Sequence, residues 1–244
     1  YAAEIARRGV EKIRFCATSA TRDASNREIF INGVKDILGI EPEVIPGVEE
    51  ASLSFIGATK ELKHAETPYL VVDIGGGSTE FVFGNEEVKY AKSVNIGCVR
   101  MSERHFTHDP ATPIEIEAAR SDIQRAISEA AEIVDIKCAK FLIAVAGTAT
   151  TVAAAALELD NYDRYAIHLS RITAERTHQV SEMFLKMNRE QRAALGYMHP
   201  GRVDVIGAGS LVLSEIMKAA GAKEFIASES DILDGMAWSL GQSN

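Results

Sequence analysis

Hydrophobic positions along the chain switch between a two-residue and a helical period, and this predicts strands interleaved with helices. We expect strands over residues 13–17, 44–45, 70–74, 80–83, 88–96, 141–146 and 224–227, with residues 70–96 forming an antiparallel meander. We expect helices near the start of the chain and over residues 26–38, 49–59, 100–106, 113–134, 152–159, 172–187, 189–195, 203–220 and 231–240. The pattern is typical of an α/β protein whose strands deliver Gly- or Thr-rich turns to one edge of a sheet.

The strongest single pattern lies in residues 70–84. An apolar, β-branched run ends in Asp73, the turn Gly75–Ser78 follows, and an alternating run starts at Glu80. Three residues without Cβ let backbone N–H groups converge on an anion at close range. Asp73 stands at the strand end, where it can hold a hydrated Mg²⁺ against that anion. These features indicate a phosphate site.

Two better-known phosphate-binding patterns do not fit these residues. A dinucleotide fingerprint would need its third glycine where Glu80 stands, and a helix after the turn. A P-loop would need a lysine before Ser78, where Gly77 stands. We therefore predict a phosphate-binding β-hairpin with an acidic residue on each arm. The alternative is an ordinary glycine-rich hairpin turn.

Two further turns follow predicted strands and carry anion-binding groups. Residues 18–22 combine hydroxyl-bearing residues with Arg22, whose forked donors suit phosphate oxygens, although a surface salt bridge is the alternative. Gly147 and Thr148 stand at a helix start, where free N–H groups favour an anion. A simple N-cap by Thr148 is the alternative there.

Glu49 and Glu50 begin a predicted helix directly after Pro46 and Gly47. Consecutive helix positions point about 100° apart, so at most one of the two acids can face a cleft. A carboxylate near a phosphate-binding turn can orient and deprotonate water. The alternative is that both acids only favour the helix dipole.

The remaining candidates carry weaker signals. His105 and His108 have Asp109 beside them but no third ligand at metal-site spacing, which favours a solvated loop over a metal site. Gly207 and Gly209 lie within a helical pattern, where close helix packing is favoured over space for a ligand.

Composition narrows the class of protein. A chain of 244 residues with 46% hydrophobic and 25% charged residues suits one large or two modest globular domains. No apolar run approaches the ~20 residues of a membrane span. The formal charge of −9 argues against broad nucleic-acid binding, so a polyanionic substrate must be met by local cations and metal. Cys16, Cys98 and Cys138 suit core fillers in a reducing, cytoplasmic compartment.

The start of the chain and one polar segment suggest how the chain is divided into domains. Residues 1–8 resemble the middle of a helix, so we expect the chain to begin inside its first domain. The polar stretch 60–67, closed by Pro68, is the best candidate for a domain junction. We expect domain I over residues 1–64, joined by a terminal helix within 231–244, and domain II over residues 65–230.

With these residues in view, the chain resembles the exopolyphosphatase / guanosine pentaphosphate phosphohydrolase family of the actin-like ATPase superfamily. The matching segments occur in the family's order and extend nearly end to end: residues 17–24, 46–51, 72–80, 95–100, 146–151 and 230–238. The resemblance implies two ribonuclease-H-like domains facing each other across a cleft. It also implies hydrolysis of the terminal phosphoanhydride of inorganic polyphosphate, a divalent cation such as Mg²⁺, and a homodimer.

The resemblance also implies roles for individual residues. Glu50 would be the general base and Arg22 would contact substrate phosphate, while Asp73 would bind metal through water and Glu80 would assist. The phosphate-binding set would be Gly75, Gly76, Gly77, Ser78, Ser19, Thr21, Gly147 and Thr148. The family's first phosphate hairpin, Asp-x-Gly-Ser-Asn-Ser, does not precede Tyr1. We therefore expect a first domain truncated at its N-terminus, and poor hydrolysis by this piece alone.

Three other functions stay open at this point. Guanosine pentaphosphate could be the main substrate in place of polyphosphate. A non-catalytic module that binds polyphosphate or a nucleotide belongs to a different class. A sugar or acetate kinase of the same superfamily is disfavoured, because an acid after Pro46-Gly47 that activates water suits hydrolysis. No nucleic acid and no membrane is expected as a partner.

Overall fold

The computed structural model describes residues 1–62 and 67–242. Its helices are α1 (Ala2–Arg8), α2 (Ser19–Asp23), α3 (Arg27–Leu38), α4 (Gly47–Thr59), α5 (Cys98–His105), α6 (Pro113–Ala131), α7 (Ala146–Ala156), α8 (Arg164–Ile167), α9 (Ala174–Lys186), α10 (Arg189–Ala193), α11 (Ile206–Ala220) and α12 (Ile232–Gln242). Its strands are β1 (Cys16–Ala17), β2 (Glu43–Val44), β3 (Tyr69–Ile74), β4 (Thr79–Gly84), β5 (Val88–Val94), β6 (Phe141–Val145), β7 (Arg171–Thr173) and β8 (Glu224–Ala227).

A six-stranded sheet in the order β5-β4-β3-β6-β8-β7 forms the main layer. The predicted meander is confirmed, since β3, β4 and β5 pair antiparallel. Strands β3, β6 and β8 are parallel, and β7 closes the other edge antiparallel to β8. A separate pair, β1 and β2, is parallel. Parallel strands with helices between them align the ends of β3 and β6, which places two of the predicted turns side by side.

The two faces of the sheet bury different side chains of β3. Leu70, Val72 and Ile74 join the large core beneath the helices of the C-terminal half. Tyr69 and Val71 point to the opposite face, where α4 packs. Because side chains alternate along a strand, Asp73 shares the face of Tyr69 and Val71. The strand therefore delivers its carboxylate toward α4.

Helix α12 returns from the end of the sheet layer and packs along α4. Gly57 and Gly235 allow this approach. A Cβ on Gly57 would stand 1.9 Å from the Asp231 carbonyl oxygen, and one on Gly235 would stand 2.0 Å from the Leu53 carbonyl oxygen. The two helices thus touch backbone to backbone. Lys60 adds a cation–π contact with Trp238, with 5.4 Å between Nζ and the ring centroid.

Several predicted elements need correction. The predicted helix 172–187 begins as strand β7, and Thr173 caps α9 by accepting a hydrogen bond from the Arg176 amide (3.2 Å). The short helix α8 was not predicted. The predicted strand 13–17 is reduced to Cys16–Ala17. Cys138 is exposed and is not a core filler, because it lies in the loop between α6 and β6; all three thiols are free.

Several apolar positions of α3 are exposed, in contrast to most apolar positions of the sheet. Ile29, Phe30 and Ile37 follow the helical period, yet they are exposed, because among the described elements α3 makes its main contact with the short helix α2. The junction 60–67 and the boundary at residues 64 and 65 fall largely on residues 63–66, outside the described residues. The division into two domains stays a prediction.

Of the helices that the structure describes, none is both long and apolar enough to cross a membrane.

The helix crossing can be tested by adding one methyl group. Gly235→Ala forces α12 away from the Leu53 carbonyl, so we expect the free energy of unfolding in urea to fall by about 1–3 kcal/mol. Gly241 lies on the same helix with no atom within 4 Å of its Cβ position. Gly241→Ala should leave stability unchanged or raise it by up to about 1 kcal/mol. Equal losses in both variants would contradict the close crossing.

Candidate active site

The hairpin of β3 and β4 places two acids opposite each other beside its turn. Asp73 and Glu80 are partners in the strand register, and both are buried. Ser54 of α4 donates to Asp73 Oδ2 at 2.6 Å. Ser78 and Ser93 each donate to Glu80 Oε1 at 2.7 Å. Hydroxyl groups therefore orient both carboxyl groups at the base of the glycine turn.

The carbonyl groups of the glycine turn are bound by the start of α5. Gly75 O accepts from the Cys98 amide (2.9 Å), Gly76 O from the Val99 and Arg100 amides (3.0 and 3.1 Å), and Gly77 O from the Gly97 amide (3.3 Å). These donors are the amides that a helix start leaves free. Gly97 permits the contact, since its Cβ would stand 2.3 Å from Gly76 O.

Three amide groups of the same turn, unlike its carbonyl groups, have no hydrogen-bond partner among the described residues. Within the described chain, the N–H groups of Gly76, Gly77 and Ser78 make no hydrogen bond. Each follows a carbonyl that α5 fixes, and a trans peptide points its N–H away from its carbonyl. The three N–H groups therefore point away from α5 and can converge on an anion.

Helix α4 settles which of its two acids faces the site. Glu49 points outward and pairs with Arg14 (2.5 Å). Glu50 is 8% exposed, and its Oε2 accepts from Arg22 Nη1 at 2.9 Å. The guanidinium of Arg22 also donates to the Ile45 carbonyl at 2.7 Å. Arg22 is thus an ion-pair partner of the predicted general base, and Glu50 Oε1 stays without a protein partner among the described residues.

Burial and like charges perturb the acids of the site. Burial is the main cause that raises the pKa of Asp73 to about 6; the negative charges of Asp231 and Glu50 raise it further, and the Ser54 hydrogen bond opposes them. Burial likewise raises the pKa of Glu80 to about 7, followed by the charge of Glu50. The structure therefore brings Glu50, Asp73 and Glu80 into one electrostatic cluster, with Asp231 as an unpredicted fourth member.

This donor set suits a hydrated cation better than a cation held wholly by the protein. Among the described residues, no three or more His, Cys, Asp or Glu side chains stand close enough to ligate one metal ion. Asp73 and Glu80 are, however, carboxyl groups whose ionised forms are disfavoured by burial and by nearby negative charges. A divalent cation nearby would favour the ionised forms, and Mg²⁺ usually keeps several waters.

The α2 segment meets the glycine turn through one of its predicted residues. The Ser19 hydroxyl lies 3.2 Å from where a Cβ of Gly77 would stand, so Ser19 abuts the turn. Thr21 shows no contact with the turn within the described residues; its amide bonds the Thr18 carbonyl at 3.0 Å. The structure thus brings Ser19 and Arg22 to the site and leaves Thr21 at its margin.

Gly147 and Thr148 have different environments. A Cβ on Gly147 would stand 1.5 Å from Arg202 Nη2, so the guanidinium of Arg202 rests on this glycine. Thr148 is buried and packs against Gly209, whose Cβ would meet the Thr148 hydroxyl at 2.7 Å. This contact supports the packing interpretation for Gly209. The Thr148 side chain points into the core, and it does not cap α7, whose N-cap is Val145.

Arg202 is the principal site residue that the sequence did not reveal. Its guanidinium makes no hydrogen bond or ion pair with any residue that the structure describes. It lines a cavity of about 360 Å³ beside the glycine turn and a second of about 470 Å³ that reaches Tyr162 and Asp231. The only available signal was an arginine following the Pro200-Gly201 break. Ser54 and Ser93 likewise gave no sequence signal.

The predicted histidine candidates lie outside this cluster. His105 Nε2 is 2.9 Å from Asp122, and His108 Nδ1 is 2.9 Å from Glu115. Asp109 pairs with the buried Arg192 at 2.6 Å. These contacts tie the loop to α6 and α10, which agrees with a structural role.

The raised pKa of Glu80 predicts a pH-dependent effect of Glu80→Gln. Native Glu80 keeps its proton to about pH 7, whereas an unfolded glutamate loses it near pH 4.3, so the stability of the wild type falls as pH rises across that window. In EDTA, we expect Glu80→Gln to raise the free energy of unfolding by about 2–3 kcal/mol at about pH 8 and by little at about pH 4. Urea denaturation at both pH values measures this. Glu129→Gln, on the exposed face of α6, is the control, and equal gains at both pH values would contradict the assignment.

Solved structures closely match this fold. A crystal structure of an exopolyphosphatase-like protein is 44% identical, with a TM-score of 0.95 over 99% of this chain and 81% of that one. The Aquifex aeolicus PPX-GPPA enzyme is 29% identical, with a TM-score of 0.84 over 98% of this chain and 79% of that one. The predicted α/β fold of actin-like ATPase type is confirmed.

Curated relatives agree with the structures. "Exopolyphosphatase 2" of Mycobacterium tuberculosis is 45% identical over 239 residues, which cover 94% of this chain and 75% of the relative. A "Bifunctional 3-dehydroquinate synthase/phosphatase" of Fusobacterium nucleatum is 36% identical over 92% of this chain and 34% of its own length. The family model described as Ppx/GppA phosphatase family matches residues 1–243. The chain therefore belongs to the Ppx/GppA phosphatase family.

Proposed function

We propose that this protein hydrolyses the terminal phosphoanhydride of inorganic polyphosphate and releases orthophosphate. The observation that carries the proposal is the glycine turn, whose three unbonded N–H groups point away from α5. The inward-facing Glu50 stands in the same cluster as the acids of that turn. The 45% identity to a protein named exopolyphosphatase supports the choice of substrate.

The chemistry of the chain's own residues is general-base catalysis with electrostatic stabilisation. Arg22 holds Glu50 Oε2, which leaves Oε1 free to orient an attacking water and take its proton. The N–H groups of Gly76, Gly77 and Ser78 would bind the oxygens of the transferred phosphoryl group, on which charge develops. Ser19 lies against the turn and Arg202 lines the cavity beside it, where they would bind the next phosphate.

A divalent cation, proposed to be Mg²⁺, would be held by Asp73 and Glu80 through water. When bound, it supplies positive charge that offsets the charge of the substrate phosphates. Buried Asp73 and Glu80 would then be ionised at neutral pH, since a nearby cation favours their charged forms. Ser54 and Ser93 fix the orientation of these two carboxyl groups.

Guanosine pentaphosphate is the second candidate substrate. The cavity of about 470 Å³ beside Arg202 combines Tyr162 and Tyr197 with Glu229, a lining that suits a neutral ring with hydroxyl groups better than a polyanion. A "Guanosine-5'-triphosphate,3'-diphosphate pyrophosphatase" of Photobacterium profundum is 38% identical over half of this chain and 24% of that protein. Comparing phosphate release from the two substrates separates the candidates. A homodimer and a cytoplasmic location stay predictions.

The role of Glu50 is tested in the full-length protein. Glu50→Gln removes the base but keeps the side-chain size, so we expect kcat to fall by about 10²–10⁴-fold while polyphosphate still binds. Glu49→Gln is the matched control, because Glu49 is the neighbouring acid that points outward. Phosphate release and equilibrium binding are both measured. Unchanged turnover in Glu50→Gln would remove Glu50 from the mechanism, and binding without turnover in the wild type would favour a non-catalytic module.

The role of Arg202 is tested by substrate binding. Arg202→Gln removes a guanidinium that has no hydrogen-bond or ion-pair partner in the described part of the chain, so we expect polyphosphate affinity to fall by about 10-fold, in line with the loss of one charge-assisted hydrogen bond. The salt dependence of binding should weaken as well. Arg164→Gln in the exposed helix α8 is the control. An unchanged affinity for both candidate substrates would show that the ligand does not reach Arg202.

A further inference from the structure

One arginine outside the predicted site links the glycine turn to helix α2. Arg100 stands in the first turn of α5, and its Nε donates to the Gly77 carbonyl at 2.7 Å. Its Nη2 donates to Asp23 Oδ2 at 2.7 Å, at the end of α2. Arg100 Nη2 also lies 3.4 Å from where a Cβ of Gly77 would stand, next to the Ser19 hydroxyl. A single planar group thus joins the glycine turn to the helix that carries Ser19 and Arg22.

The bond to Gly77 has a directional consequence. The carbonyl of Gly77 and the N–H of Ser78 belong to one trans peptide and point in opposite directions. Arg100 therefore fixes the direction of the Ser78 N–H when it binds the Gly77 carbonyl. The only other donor to that carbonyl among the described residues is the Gly97 amide, at a longer 3.3 Å. Arg100 is the stronger of the two constraints, because its donor is charged.

The bond to Asp23 extends the same constraint from the glycine turn to α2. Helix α2 spans only Ser19–Asp23, so its last residue and Ser19 move together. The Arg100 and Asp23 side chains are 33% and 57% exposed, and ion pairs this exposed contribute little to stability. The pair can set the position of α2 relative to the glycine turn without being needed for the fold.

We propose that Arg100 is a positioning residue: it holds the Ser78 N–H, which would bind the transferred phosphoryl group, in a fixed position relative to Ser19, which would bind the next phosphate, and to Arg22, which holds Glu50. The inference rests on the proposed hydrolysis. A bifurcating guanidinium is required, because lysine has one nitrogen and cannot hold a carbonyl and a carboxylate in a fixed plane. The simpler alternative is a surface salt bridge, which would leave kcat unaffected.

The kinetic test uses a double-mutant cycle in the full-length protein: Arg100→Gln, Asp23→Asn and the two combined, with Arg100→Lys added. We expect Arg100→Gln to lower kcat about 10-fold with little change in KM, and Arg100→Lys to restore only part of the loss. Asp23→Asn should lower kcat by less, and it should have no further effect in the Arg100→Gln background. Arg104→Gln, which removes the Asp122 ion pair of the same helix, should leave kcat unchanged. Additive losses, or an unchanged kcat in Arg100→Gln, would overturn the proposal.

An activity-independent measurement separates this inference from the proposed function. Hydrogen exchange should increase in Arg100→Gln at the hydrogen-bonded amides of Gly75 and Gly97 beside the turn and at those of Thr21 and Arg22 in α2, and should not increase in Arg104→Gln. If the wild type fails to hydrolyse polyphosphate, the proposed function fails, and the exchange result still decides the coupling. Increased exchange on one side only, or on neither, would overturn the coupling.

Discussion

The structure depends on the backbone hydrogen bonds between the start of α5 and the glycine turn. A helix start and a glycine turn each have unsatisfied polar groups, amides in the first case and carbonyls in the second. Docking the start of α5 onto the turn satisfies the carbonyls of Gly75, Gly76 and Gly77. The same docking leaves the amides of Gly76, Gly77 and Ser78 without a hydrogen-bond partner among the described residues. The anion site is thus created by the packing of α5, and Gly97 is needed because any side chain there would block that packing.

Around this turn, the chain places negative charge where the substrate is also negative. Glu50, Asp73, Glu80 and Asp231 repel one another, and burial adds to the cost of their ionisation. Arg22 counters that charge through its ion pair with Glu50, and Arg202 lines the same cavity as Asp231. With a net charge of −9, the chain provides no general attraction for a polyanion, so the proposed binding would rely on local cations such as these and on the proposed metal ion.

Much of the fold and the centre of the site could be predicted from the sequence, because both rest on local patterns. The meander and the Gly75–Ser78 turn follow from alternation and from three adjacent glycines. Strand β7 was missed because three residues at a sheet edge carry too short a pattern to stand out before α9. Arg202 was missed because its role arises from contact with Gly147, 55 positions away in sequence, which no local pattern records.

Glu50 and Ser54 lie one helical turn apart on α4; Glu50 belongs to the acidic cluster, and Ser54 donates to Asp73, another of its members. Because residues four apart share one face of a helix, any displacement of α4 moves both side chains along the same direction. The group proposed to activate the water and the group that orients Asp73 therefore move together. A substitution at Gly57 would displace both side chains at once, so this glycine limits how the chemistry of the site can change in evolution.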